Sequence, residues 1–108
     1  MPAIVNTYMQ PVEEMKRQLG NRCLFMLGAS LLGGSQTIDG EPVLSFKVGR
    51  NAKGVTHVRI TLRNDLYDMA FLAIRGTSYH RVVSELEGVY NDMLHTVLES
   101  HTGMRTHL

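Results

Sequence analysis

The chain has a single cysteine in 108 residues, which excludes an intrachain disulfide. Cys23 stands inside the apolar run Cys23-Leu24-Phe25-Met26-Leu27, where a buried thiol is expected. No apolar run approaches the length of a membrane span. The N-terminus lacks the charged start and long apolar core of a signal peptide, so a cytoplasmic location is expected. The spacings that would name a reaction are also missing. Serine, histidine and acid occur without a nucleophile-elbow sequence, and residue types alone make no triad. His57, His80, His95, His101 and His107 include no pair at the four-residue spacing of helical zinc ligands, so scattered surface histidines are expected, with no metal and no cofactor. Gly28, Gly33 and Ser35 match three positions of a phosphate-binding P-loop, but Gly34 occupies the place of its lysine. Asp39, Gly40 and Pro42 then give a turn where a P-loop needs a helix, and residues 28–35 read as a flexible loop. Tyr8, Tyr67, Tyr79 and Tyr90 are too dispersed to form a pair of base-stacking aromatics.

What the sequence does have is alternation. Residues 43–75 hold three strand-like runs, the first two of which switch between apolar and polar at every step, as half-buried strands must. Leu44, Phe46 and Val48 oppose Ser45 and Lys47; Val58, Ile60 and Leu62 oppose His57, Arg59, Thr61 and Arg63. The third run, 66–75, is apolar on both faces apart from Asp68, and is expected to be covered on both. A shift of one residue would send each apolar set to the wrong face. The pairs are therefore Phe46 with Val58, Leu44 with Ile60, Lys47 with His57, Leu62 with Tyr67, Ile60 with Met69 and Val58 with Phe71. This leaves residues 49–55 as one loop and Asn64 with Asp65 as a turn, where such residues are favoured. In the same register Asp68 faces Thr61 and lies diagonal to Arg59, predicting a cross-strand charge pair.

Residues 1–9 show no pattern and are expected to be poorly ordered, leaving residues 10–108 as a single domain. From Gln10, Pro11 suits a first helical position, Glu13 and Glu14 the first turn, and Val12, Met15 and Leu19 form an apolar stripe. Gly20 with Asn21 is a natural stop, although a helix running on to Leu27 would also keep the period; a break there is preferred, with residues 23–27 as a first, fully buried strand. Residues 79–83 can add a fifth. Leu86, Val89, Tyr90, Met93, Leu94, Val97 and Leu98 recur at helical spacing, with Gly103 as the C-terminal cap; a helix would begin near Ser84 or Gly88. The fold class is thus α+β: a four- to five-stranded antiparallel meander carrying an N-terminal helix and a longer C-terminal amphipathic helix.

Net charge is +1, unevenly spread. Lys47, Arg50, Lys53, Arg59 and Arg63 fall within residues 43–63 without an acid among them, whereas residues 84–99 hold Glu85, Glu87, Asp92 and Glu99 and no lysine or arginine. Such asymmetry marks a nucleic-acid surface or complementary contacts between elements or protomers.

Several stretches carry a resemblance. Gln18-Leu19-Gly20-Asn21-Arg22-Cys23, Leu27-Gly28-Ala29, Leu44-Ser45-Phe46-Lys47, Val58-Arg59-Ile60-Thr61-Leu62, Tyr67-Asp68, Glu87-Gly88-Val89-Tyr90, Leu94 and Thr102-Gly103 with the terminal Leu108 resemble an uncharacterised family of small proteins encoded by phages, prophages and mobile elements. The resemblance implies that setting, with the host cytoplasm as location. It implies no chemistry and no site residue.

The expected function is a small non-enzymatic binding protein. Lys47, Arg50, Lys53, His57, Arg59 and Arg63 would contact nucleic-acid phosphates from a basic hairpin. The alternative is an anti-defence or host-takeover inhibitor, similar in role to anti-CRISPR proteins, that binds a host protein or a signalling nucleotide. Ala70, Leu72 and Ile74 form an apolar strip on the sheet face turned away from the C-terminal helix. Either the N-terminal helix covers it through Val12, Met15 and Leu19, or a second copy does, and a homodimer is expected.

Overall fold

The computed structural model describes residues 9–77 and 79–106. Two helices, α1 (Met9–Leu19) and α2 (Asn21–Met26), precede five strands, β1 (Ser30–Gln36), β2 (Pro42–Lys47), β3 (His57–Arg63), β4 (Leu66–Arg75) and β5 (Tyr79–Val89). A single 3₁₀ turn, Asn91–Met93, leads into α3 (Leu94–Thr102). The strands form one antiparallel sheet in sequence order. The class is α+β, as the alternation implies, and none of the described helices is long and apolar enough to cross a membrane.

Each pairing expected for β2, β3 and β4 is present, from Leu44 with Ile60 to Leu62 with Tyr67. The cause is burial: Leu44, Phe46, Val58, Ile60, Met69 and Phe71 are all within 1 % of full burial, and each stabilises the fold by about 1.5–3 kcal/mol by leaving water. A one-residue slip would replace them with Ser45, Lys47 and Arg59. Asn64 and Asp65 both have positive φ, which gives the two-residue turn that suits the twist of a hairpin.

All three helices pack on this one face. Val12, Met15 and Leu19 of α1, Cys23 of α2, and Leu94 and Leu98 of α3 join a single core cluster with the strand residues. Tyr67 Oη donates to Gln18 Oε1 at 2.6 Å, and His95 Nε2 donates to the Leu19 carbonyl at 2.7 Å, so β4 and α3 both grip the end of α1. Gly103 caps α3 in the left-handed conformation. Cys23 is buried, and burial first, then the Glu99 charge, raises its thiol to about 11.

Four expectations are corrected. Residues 23–27 belong to a helix and its end, because Cys23 and Leu27 are buried while Phe25 is 83 % exposed, the i, i+4 pattern of a helix edge rather than the alternation of a strand. The flexible loop expected over residues 28–35 is instead mostly strand, since residues 30–36 form β1 paired with β2. Gly34 belongs there because a Cβ would meet Val12 Cγ1 at 3.0 Å; α1 crosses too close for a side chain. The last helix is shorter than predicted, since Leu86 and Val89 lie on β5. Gly88, at φ 68, turns the chain through a bulge there, and its N–H donates to Asp68 Oδ1. The acids of this region therefore sit mainly on β5 and the 3₁₀ turn, and only Glu99 on α3. Fourth, α1 does not cover the strip of Ala70, Leu72 and Ile74; its stripe faces the core on the other side. The expectation for residues 1–9 lies outside the described residues except for Met9, which opens α1.

Candidate nucleic-acid interface

With the helices on one face, the other face of the sheet is left without a covering layer among the described residues. Cross-strand pairing fixes what it displays, because directly opposed residues share a face. One row runs Lys47, His57, Leu72, Val82, and the next runs Ser45, Arg59, Ala70, Glu85. The sheet twists these rows into a groove of about 430 Å³, lined by Ser35, Ser45, His57, Arg59, Thr61 and Leu72 among others. Val43 and Leu72 are 5 % and 4 % exposed yet stand outside the core cluster, so the groove has its own small apolar floor. No Phe, Tyr or Trp lines it.

The six basic candidates do not act as one set. Lys47 and Arg59 are exposed on the open face as diagonal neighbours across the β2–β3 ladder, and neither forms an ion pair among the described residues. Arg63 is held differently. Its Nε and Nη2 donate to the two oxygens of Glu41 at 2.9 and 3.1 Å, and its Nη1 lies 3.1 Å from Asp68 Oδ2. The hydrogen bond from Arg63 holds Glu41 below the usual carboxylate range against some burial. Asp68 thus pairs with Arg63 and not with Arg59: both are diagonal to it, and Glu41 draws the Arg63 fork to that side.

His57 is half-buried, with Nδ1 2.8 Å from Thr56 Oγ1. Burial first, then the neighbouring Lys47, lower its pKa from the ordinary imidazole value, so it is neutral at pH 7 and offers a hydrogen bond rather than a charge. Arg50 and Lys53 lie on the loop between β2 and β3. Lys53 inclines toward the end of α3, where a Cβ on Gly103 would touch its Cγ at 4.0 Å.

That loop is rigidly tied. The Asn51 amide donates to the Gly49 and Val55 carbonyls at 2.9 and 2.7 Å, and its oxygen accepts from the N–H groups of Lys53 and Val55 at 3.2 and 3.1 Å. Thr56 then fastens the loop to β4: its N–H donates to the Leu72 carbonyl at 2.8 Å, and its Oγ1 accepts from the Ile74 N–H at 2.7 Å. Arg75 is thereby brought beside the loop, where it lines a hollow of about 310 Å³ together with Lys47 and Arg50. Sequence reasoning passed over Arg75, although the register that places Ile74 next to the loop also places its neighbour there. Ser35 stands out in the sequence only as a P-loop position, because β1 reads there as a loop.

Among the described residues no three His, Cys, Asp or Glu side chains converge as metal ligands. His101 stacks on Phe71 with ring centroids 4.8 Å apart and contacts Ser84 Oγ at 2.8 Å through Nδ1, a structural use of the ring. No protein-family model matches the chain, and neither a curated protein nor a solved structure matches it significantly. The resemblance to phage and mobile-element proteins accordingly rests on the quoted residues alone.

Proposed function

We propose that this is a small non-enzymatic binding protein that holds nucleic acid by its phosphates, along the β2–β3 side of the open sheet face and the loop beyond it. The observation that carries this reading is the placement of Lys47, Arg50 and Arg59, all exposed and none in an ion pair among the described residues. Glu41 is held by Arg63, and Asp68, Glu85 and Glu87 border Arg59 from the β4–β5 side, so the positive end of this surface lies at Lys47 and Arg50. With no Phe, Tyr or Trp lining the groove, His57 is its one ring and there is no run of stacking platforms for bases. Contact is to the backbone, and binding is tolerant of sequence and steeply dependent on salt.

Replacing Lys47 and Arg59 together by Ala should leave the fold intact, since both side chains are exposed. The slope of log affinity against log salt should flatten by about 0.7–0.9 per lost contact, read by fluorescence anisotropy of a labelled oligonucleotide across a salt series. Replacing Lys53 alone should flatten it less. An unchanged slope in the double variant would remove the open face from the site.

A homodimer completes the reading. Ala70, Leu72 and Ile74 are continued by Val82 on β5, which is 48 % exposed, and two-fold packing through this strip would set two basic flanks side by side. Leu72 is already 4 % exposed within one chain, so the informative substitution is Val82→Asp. It should turn a dimer into a folded monomer by light scattering, and a monomeric unmutated protein at micromolar concentration would end the dimer.

A further inference from the structure

We infer that the hollow between the 48–56 loop and the end of β4 is a binding site for a phosphoryl group, built from Lys47, Arg50 and Arg75. It deepens the reading above and rests on it only for the source of that group.

Three observations converge. The first is charge. The three cations come from the end of β2, the loop and the end of β4, and line one hollow that no carboxylate lines. Like charges gathered by the fold repel one another, and an anion placed among them relieves that repulsion and gains charge-assisted hydrogen bonds. The second is rigidity. The four Asn51 hydrogen bonds and the Thr56 fastening hold loop and strand together before any ligand arrives, so little ordering cost remains for binding. The third is donor supply. Asn51 occupies the Gly49 and Val55 carbonyls and the Lys53 and Val55 amides, whereas the N–H groups of Arg50 and Asn51, residues that line the hollow, donate to no acceptor among the described residues. Backbone amides of this kind receive phosphate oxygens in turn-built anion sites. At about 310 Å³ the hollow is at the small end of ligand sites, with room for one phosphoryl or pyrophosphoryl group.

The test is an NMR titration of the full chain with inorganic pyrophosphate. Saturable shifts of the Gly49, Arg50, Asn51 and Gly54 amides are expected, weakened about tenfold by Arg75→Ala and partly restored by Arg75→Lys, with the melting temperature unchanged in both. Two further arms, a 5′-mononucleotide and an oligonucleotide, identify the source. Saturable shifts with pyrophosphate and mononucleotide but no oligonucleotide binding would keep this site and overturn the nucleic-acid reading in favour of a free phosphorylated ligand. Oligonucleotide binding with a salt slope indifferent to Arg75→Ala, and no saturable pyrophosphate shift, would overturn the site and leave the open-face reading standing.

Discussion

Phe71→Ala should lower the stability of the fold by about 3–5 kcal/mol, the cost typical of emptying a large aromatic from a packed interior. Phe71 is fully buried at the middle of β4, opposite Val58 on one side and Ser84 on the other, with His101 stacked on its ring. Its removal therefore loosens the sheet and the seat of α3 together. Against a typical total of about 5–15 kcal/mol the loss is large enough to leave a substantial unfolded fraction on mild heating. Urea denaturation followed by circular dichroism checks it. A loss under about 1 kcal/mol would mean that α3 does not pack where it is described.

The second large effect is expected away from the core. Asn51→Ala removes four hydrogen bonds at once; at about 1 kcal/mol net for each, less what the loop recovers from water, about 2–3 kcal/mol should be lost. Asn51→Asp is the sharper probe. A carboxylate still accepts from the Lys53 and Val55 amides but has nothing to donate to the Gly49 and Val55 carbonyls, so an intermediate loss is expected. Hydrogen exchange at the Val55 amide reads the loop directly: it should be fast in the Ala variant and intermediate in the Asp variant. Equal protection in all three proteins would show that the loop is held by something other than this side chain.

The contrast between these two residues marks what was legible in the sequence. Phe71 was placed correctly, face and partner included, because strict alternation in β2 and β3 leaves only one register that buries the apolar set. The Asn51 latch was invisible: asparagine is ordinary in loops, and its four partners are backbone groups that carry no sequence signature. The misread segments fail for separate reasons. The run from Cys23 to Leu27 is apolar at every position, so period could not distinguish strand from helix. Leu86 and Val89 keep helical spacing with Leu94 and Leu98, but Gly88 bends the strand through a bulge and the apparent helical stripe is shared between two elements. Glycines at 33 and 34 imitate a loop, whereas Gly34 answers to the approach of Val12 from α1. Of the site, Lys47 and Arg59 were legible from the register. The capture of Arg63 was not, because Glu41 lies outside the basic stretch and reaches it only through the fold.

The one-sided placement of the helices has a consequence for how such a chain can change over time. In β2 and β3 the even-numbered positions from Leu44 to Ile60 face the core, while Ser45, Lys47, His57 and Arg59 alternate with them on the open side. Substitutions in the second set leave the first untouched, so the frame can persist while its outward surface drifts to new ligands. Two interleaved subsets of one short stretch of chain are thereby exposed to separate selective pressures.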